Sequence, residues 1–189
     1  MPRNIILIGF MGCGKSTIGR SLQGKLGYPW IDTDEHIEQC VGMSVKEIFA
    51  KRGEQAFREL ESNILLDMTE RRIQHHIIST GGGIIGRQEN RKMLGKLGFV
   101  VWLVASTQVI MERTARNRDR PLLQTDDPKT RIEALLQERR PLYEETAHIS
   151  IETHGLDSNE VASGIIESAR YFFNQADATQ VLDRDESVS

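Results

Sequence analysis

The stretch Ile5-Ile6-Leu7-Ile8-Gly9-Phe10-Met11-Gly12-Cys13-Gly14-Lys15-Ser16-Thr17 decides how this chain is read. An apolar run, a glycine-rich turn and a segment with helical spacing at Ile18 and Leu22 follow one another. That is the strand–loop–helix order of a phosphate-binding loop, GxxxxGK[ST]. Gly9, Gly12 and Gly14 admit backbone conformations closed to other residues, so successive N–H groups can turn inward toward phosphate oxygens. The helix opening near Lys15 adds the positive end of its dipole, and the Lys15 ammonium reaches the β- and γ-phosphates. Ser16 offers a hydroxyl to Mg²⁺, a cation that keeps several waters and takes few protein ligands.

Around this loop the composition is that of an ordinary globular protein, 39% hydrophobic and 27% charged over 189 residues. Its length suits one domain with a proper core, expected over residues 1–175. The formal net charge of −3 sits after Gln175, where Asp177, Asp183, Asp185 and Glu186 face Arg184 alone. Residues 176–189 therefore read as a disordered acidic tail. The body is close to neutral, which argues against nucleic acid as a partner. Cys13 and Cys40 form no CxxC pair and no metal-ligand spacing, as expected in a reducing compartment. No apolar run is long enough for a membrane span, and the first is too short for a signal peptide. A cytoplasmic protein is the expectation.

Strands are expected at 4–8, 28–31, 77–80, 99–104 and 148–151, each separated by segments with helical periodicity. Ser44-Val45-Lys46-Glu47 fits a capping box, Gly53 closes the short helix after it, and 54–71 is a longer amphipathic helix. Helices are also expected at 15–26, 35–40, 88–96, 107–117 and 128–140, the last interrupted by Pro141, and from the Asp157–Glu160 cap to about Phe173. Strands alternating with helices imply an α/β fold of three layers, a parallel sheet with helices on both faces. Ligands in such sheets gather at the carboxyl ends of the strands. The loop, Asp32-Thr33-Asp34 and Gly81-Gly82-Gly83 all fall there.

Beside a bound Mg–nucleotide, two carboxylates have separable uses: one holds the metal, the other orients or deprotonates a hydroxyl. The spacing of Asp32 and Asp34 does not say which does which. Gly81-Gly82-Gly83 permits close backbone approach to a small substrate. Arg113, Arg116, Arg118 and Arg120 crowd a polar stretch that a closing segment could bring over a transferring phosphoryl group.

These motifs, with Phe57-Arg58, Thr80-Gly81-Gly82-Gly83, Arg120-Pro121-Leu122-Leu123 and Arg139-Arg140-Pro141-Leu142-Tyr143, resemble those of the shikimate kinases over residues 4–170. The resemblance implies a P-loop kinase fold with five parallel strands ordered 2-3-1-4-5. It also implies ATP-dependent phosphorylation of the 3-hydroxyl of shikimate, on the route to aromatic amino acids. Gly12, Cys13, Gly14, Lys15, Ser16 and Thr17 would hold the ATP phosphates, and Ser16 with Asp32 would hold Mg²⁺, Asp32 through water. Asp34 would bind the shikimate hydroxyls and act as base. Arg58 and Arg139 would grip the carboxylate, with Gly81, Gly82 and Gly83 lining the same pocket. Arg120 would close over the phosphates and Arg113 would lie near the adenine. A substrate-binding segment at about 33–61 and a lid at about 112–126 would move over the core of a monomer. Cys13 stands where the family has a small residue. Rival expectations are a gluconate or nucleoside-monophosphate kinase on the same fold, and a non-catalytic phosphate-loop module.

Overall fold

A computed structural model of the chain describes residues 3–114 and 127–186. The central strand β1 (Asn4–Ile8) is buried along its whole length. Parallel partners flank it: β3 (Ile77–Ser79) with Ile5 opposite Ile77, and β4 (Gly98–Val104) with Ile5 opposite Phe99. Outside these lie β2 (Trp30–Asp32) and β5 (Ile149–Glu152), which gives the order β2-β3-β1-β4-β5 implied by the resemblance.

Alternate side chains of β1 feed two cores, as the period of a strand requires. Ile5 and Leu7 pack with α1 (Lys15–Leu26) and α7 (Ser158–Glu186), through Ile18, Leu22, Val161 and Ile165. Ile6 and Ile8 pack against α3 (Val45–Glu70), α4 (Gln88–Leu97) and α6 (Pro128–Thr146), through Leu65, Leu94 and Tyr143. Two further helices complete the layers, α2 (Thr33–Val41) and α5 (Thr107–Thr114). The Ser44–Glu47 capping box is present, and Gly53, with φ 82°, breaks α3 where the sequence closes one helix and opens the next.

Two expectations are corrected. Helix α6 runs through Pro141 instead of stopping there. A proline inside a helix costs about 3 kcal/mol. Here the following turn buries Tyr143 to 1% exposure and stacks it on Trp102, with ring centroids 5.5 Å apart. Helix α7 continues to Glu186, so residues 176–186 are helical rather than irregular. No Gly or Pro interrupts them, and Asp177 pairs with Arg3 at 2.5 Å.

Helix α1 approaches the sheet closely at Gly19. A Cβ there would collide with the Trp30 indole and come within 2.9 Å of Ser79 Oγ, whereas at Gly24 it would meet nothing. The indole is itself fixed, since Trp30 Nε1 donates to Ser79 Oγ at 2.9 Å. Alanine is the better helix former by about 0.5–1 kcal/mol, so Gly24→Ala should stabilise by that amount in urea unfolding. Gly19→Ala should destabilise by about 1 kcal/mol or more, because overpacking outweighs propensity. Equal effects at the two positions would contradict this packing.

Candidate functional site

The site lies at the carboxyl ends of β1, β2 and β3. Gly9, Gly12 and Gly14 have φ of 141°, 80° and 103°, the left-handed half of backbone space that the loop needs. No side chain caps α1. Its first-turn N–H groups border a cavity of about 550 Å³ lined by Gly12, Cys13, Gly14, Lys15, Ser16 and Thr17, with Asp32, Asp34, Thr80, Gly82 and Arg113. Lys15 Nζ donates to the carbonyls of Gly9 at 2.8 Å and Phe10 at 2.9 Å, which holds the ammonium over the loop. Ser16 Oγ donates to Asp32 Oδ2 at 3.0 Å. Asp32 also caps α2, its Oδ1 accepting from the Asp34 backbone N–H at 3.1 Å. The cap and the serine contact aim the two Asp32 oxygens differently, leaving a pair of hard oxygen donors beside the loop.

A second group of residues adjoins this cavity around Gly81-Gly82-Gly83. Thr33 Oγ1 accepts from the Gly81 N–H at 3.0 Å and ties the turn to the start of α2. A Cβ on Gly81 would fall 2.6 Å from both Asp34 Oδ1 and Glu61 Oε1, and one on Gly83 would press on the Arg58 guanidinium at 2.5 Å. One on Gly82 would reach Met11 N of the phosphate loop at 3.1 Å. The three glycines thus let the turn sit between the phosphate loop and a ring of charged side chains. The Gly82 carbonyl accepts from Tyr143 Oη at 2.6 Å and from Arg139 Nη1 at 3.2 Å, both on α6. Burial pushes the Tyr143 phenol above its ordinary range, so it remains a proton donor.

Arg58 is clamped on α3. Its Nη1 donates to Glu61 Oε2 at 2.7 Å and its Nη2 to Glu54 Oε1 at 2.8 Å. Burial works against the guanidinium charge, but Glu61 and Glu54 outweigh it and raise the pKa. Glu61 itself is fully buried, and burial pushes its carboxyl up to about 7 despite the neighbouring Arg58, with the Asp34 charge adding to the rise.

The structure therefore brings together the loop residues, Asp32, Asp34 and Gly82 in one cavity, with Gly81, Gly83, Arg58 and Arg139 immediately beyond it. Arg113 Nη1 donates to the Gly12 carbonyl at 3.1 Å, at the far end of the loop, where exposed Leu156 lines the same cavity. Cys13 is fully buried, with its Sγ 3.7 Å from Lys15 Nζ. Arg120, Arg116 and Arg118 lie outside the described residues, as does most of the expected lid. Sequence reasoning missed Glu61, and it gave Thr33 and Tyr143 no role beyond their places in the quoted motifs. The Arg58–Glu61 spacing of three on a helix was the available signal for the first.

A family model described as shikimate kinase matches residues 11–170. The chain belongs to the shikimate kinase family. The shikimate kinase of Thermodesulfovibrio yellowstonii is 47% identical over 165 residues, covering 87% of this chain and 94% of that one. That of Thioalkalivibrio sulfidiphilus is 44% identical over 170 residues, covering 89% and 86%. Among solved structures, shikimate kinase from Acinetobacter baumannii in complex with shikimate superposes with a TM-score of 0.84 at 38% identity, covering 88% of this chain and 92% of that one. A gluconokinase from Sinorhizobium meliloti, 18% identical with a TM-score of 0.55, shares the fold alone. Among the described residues no helix is long and apolar enough to cross a membrane.

In this shikimate kinase family member, Tyr143→Phe should remove one of the two donors to the Gly82 carbonyl while keeping the ring on Trp102. The expected loss is about 1 kcal/mol, read as a fall in Tm of about 2–4 °C. An unchanged Tm would mean that the phenol contributes nothing to holding the turn.

Proposed function

We propose that this chain transfers the γ-phosphoryl group of ATP to the 3-hydroxyl of shikimate, giving shikimate 3-phosphate and ADP. One observation carries the reading. A phosphate loop and a pair of arginines meet at a three-glycine turn, Arg139 on the Gly82 carbonyl and Arg58 against Gly83, and Asp34 borders both the loop cavity and Gly81. Shikimate is a small carboxylate with vicinal hydroxyls. Fixed guanidinium groups suit the first feature and a carboxylate acceptor the second.

In this mechanism the N–H groups of Gly12 to Thr17 and the Lys15 ammonium take the ATP phosphates, the ammonium exchanging the Gly9 and Phe10 carbonyls for phosphate oxygens. Ser16 and Asp32 present two oxygens at 3.0 Å from each other, a donor set that suits Mg²⁺. Ser16 would hold the ion directly and Asp32 through water. Bound there, the ion would neutralise charge on the phosphates. Arg58 and Arg139 grip the shikimate carboxylate, and the Gly81–Gly83 backbone lines the ring. Asp34 orients the 3-hydroxyl and accepts its proton as the oxygen attacks the γ-phosphorus and the bond to the ADP oxygen breaks. Arg120 supplies a further cation over the transferring group, and Arg113 borders the adenine. We place the reaction in the cytoplasm, carried out by a monomer; two unbridged cysteines suit a reducing compartment.

ADP release measured with shikimate, gluconate and AMP in turn tests the reading. Shikimate alone should support turnover, and a matching rate with either rival acceptor would overturn it. Asp34→Asn should lower kcat by about 100-fold or more while ATP still binds. Near-native turnover in that variant would remove Asp34 as the base. Arg139→Ala should raise the KM for shikimate about 10-fold or more and leave that for ATP nearly unchanged. Equal rises would contradict a carboxylate clamp.

A further inference from the structure

The mechanism above leaves Glu61 without a part, yet no carboxylate among the described residues is more enclosed. Its side chain is fully buried and Oε2 is held by Arg58 Nη1 at 2.7 Å. Oε1 has no hydrogen-bond partner among the described residues. That oxygen and Asp34 Oδ1 each lie 2.6 Å from the same point beside the Gly81 Cα, so they are separated by no more than twice that distance. Two carboxylate oxygens converge on the floor of the acceptor compartment, one of them with an open lone pair.

The charges facing Glu61 come from three elements, Arg58 on α3, Asp34 on α2 and Arg139 on α6, while the glycine turn adds none and Glu54 on α3 reaches only Arg58. With Glu61 ionised, two guanidinium groups face three carboxylates, of which Glu54 is half exposed and solvated. The compartment is then already neutral or negative before any substrate arrives. An anionic acceptor laid on Arg58 and Arg139 would bring a further negative charge into a region of low dielectric.

We propose that Glu61 takes up a proton from solvent when the anionic acceptor binds, becoming neutral so that Arg58 can give its charge to the acceptor's carboxylate. The proton goes to Oε1, since Oε2 stays on Arg58. Glu61 acts through Arg58 and is a positioning residue for the acceptor. It makes the site selective for carboxylated polyols, because an uncharged acceptor would bring no charge for the released guanidinium to meet. The inference rests on the shikimate reading. The raised carboxyl of Glu61, near 7 before binding, makes the transfer accessible around neutral pH. A bound anion nearby raises it further. Acceptor affinity should therefore fall as pH rises through and above 7, and flatten where Glu61 already holds its proton.

The test is calorimetric titration of shikimate into the protein at pH 7.5 in PIPES and in Tris, whose ionisation heats differ. The native chain should take up a large fraction of one proton per shikimate bound, and its Kd should rise several-fold between about pH 6.5 and 8.5. Glu61→Gln, which keeps a donor-acceptor side chain against Arg58, should bind with no proton uptake and a flat Kd. Binding by the native chain with equal heats in the two buffers would overturn the proposal, whether or not the variant folds. Proton uptake persisting in Glu61→Gln would overturn it as well. Failure of the native chain to bind shikimate at all would instead bring down the functional reading, and this inference with it.

Discussion

A carbonyl oxygen has two lone pairs, and at Gly82 both are taken by α6: one by Tyr143 Oη at 2.6 Å, the other by Arg139 Nη1 at 3.2 Å. On its other side Gly82 lies so close to Met11 that an added Cβ would reach its amide nitrogen at 3.1 Å. The phosphate loop, the glycine turn and α6 are thus locked edge to edge. The lock depends in turn on α6 remaining helical past Pro141, because Tyr143 comes from the turn after the proline. With two donors on one oxygen, Arg139 can turn toward an anion while Tyr143 keeps the carbonyl satisfied. The geometry of the turn then does not depend on whether the arginine is engaged with substrate.

Electrostatics around the turn are arranged for use rather than for stability. The Arg58–Glu61 pair is buried on the glutamate side, and buried ion pairs of this kind recover their desolvation cost poorly. Apolar residues of similar volume would stabilise α3 at least as well. What the charges provide is a guanidinium that stays cationic and fixed in direction next to a cavity. Asp34, at the start of α2, stands where that compartment meets the phosphate-binding one. In the proposed reaction this proximity lets a hydroxyl and a γ-phosphate share one carboxylate neighbour.

The parts of the molecule legible in the sequence are those in which a local requirement dictates residue type. The phosphate loop demands glycines at fixed spacing, and Gly9, Gly12 and Gly14 show the positive φ that spacing implies. Apolar runs announced β1, β3 and β4, and Ser44 and Glu47 announced the start of α3. The family resemblance supplied the strand order, which pairing through space, not local pattern, determines. The spacing of Arg58 and Glu61 marked a possible pair, but the burial of Glu61 was illegible, because a glutamate on an amphipathic helix reads as solvated and its enclosure comes from α2 and the glycine turn. Tyr143 lies 61 positions from Gly82, and no local rule connects the two. The passage of α6 through Pro141 was missed for the same reason, since tertiary burial of Tyr143 overrides the local preference of proline.

In the proposed reaction one acceptor anion and one triphosphate meet across Gly82. A crystal structure with shikimate and a non-hydrolysable ATP analogue measures this directly. It should place the shikimate carboxylate on Arg58 and Arg139, and the 3-hydroxyl oxygen about 3–3.5 Å from the γ-phosphorus and in line with the bond to be broken. A carboxylate turned toward Lys15, or a hydroxyl held well beyond reach of the phosphorus with both sites filled, would contradict it.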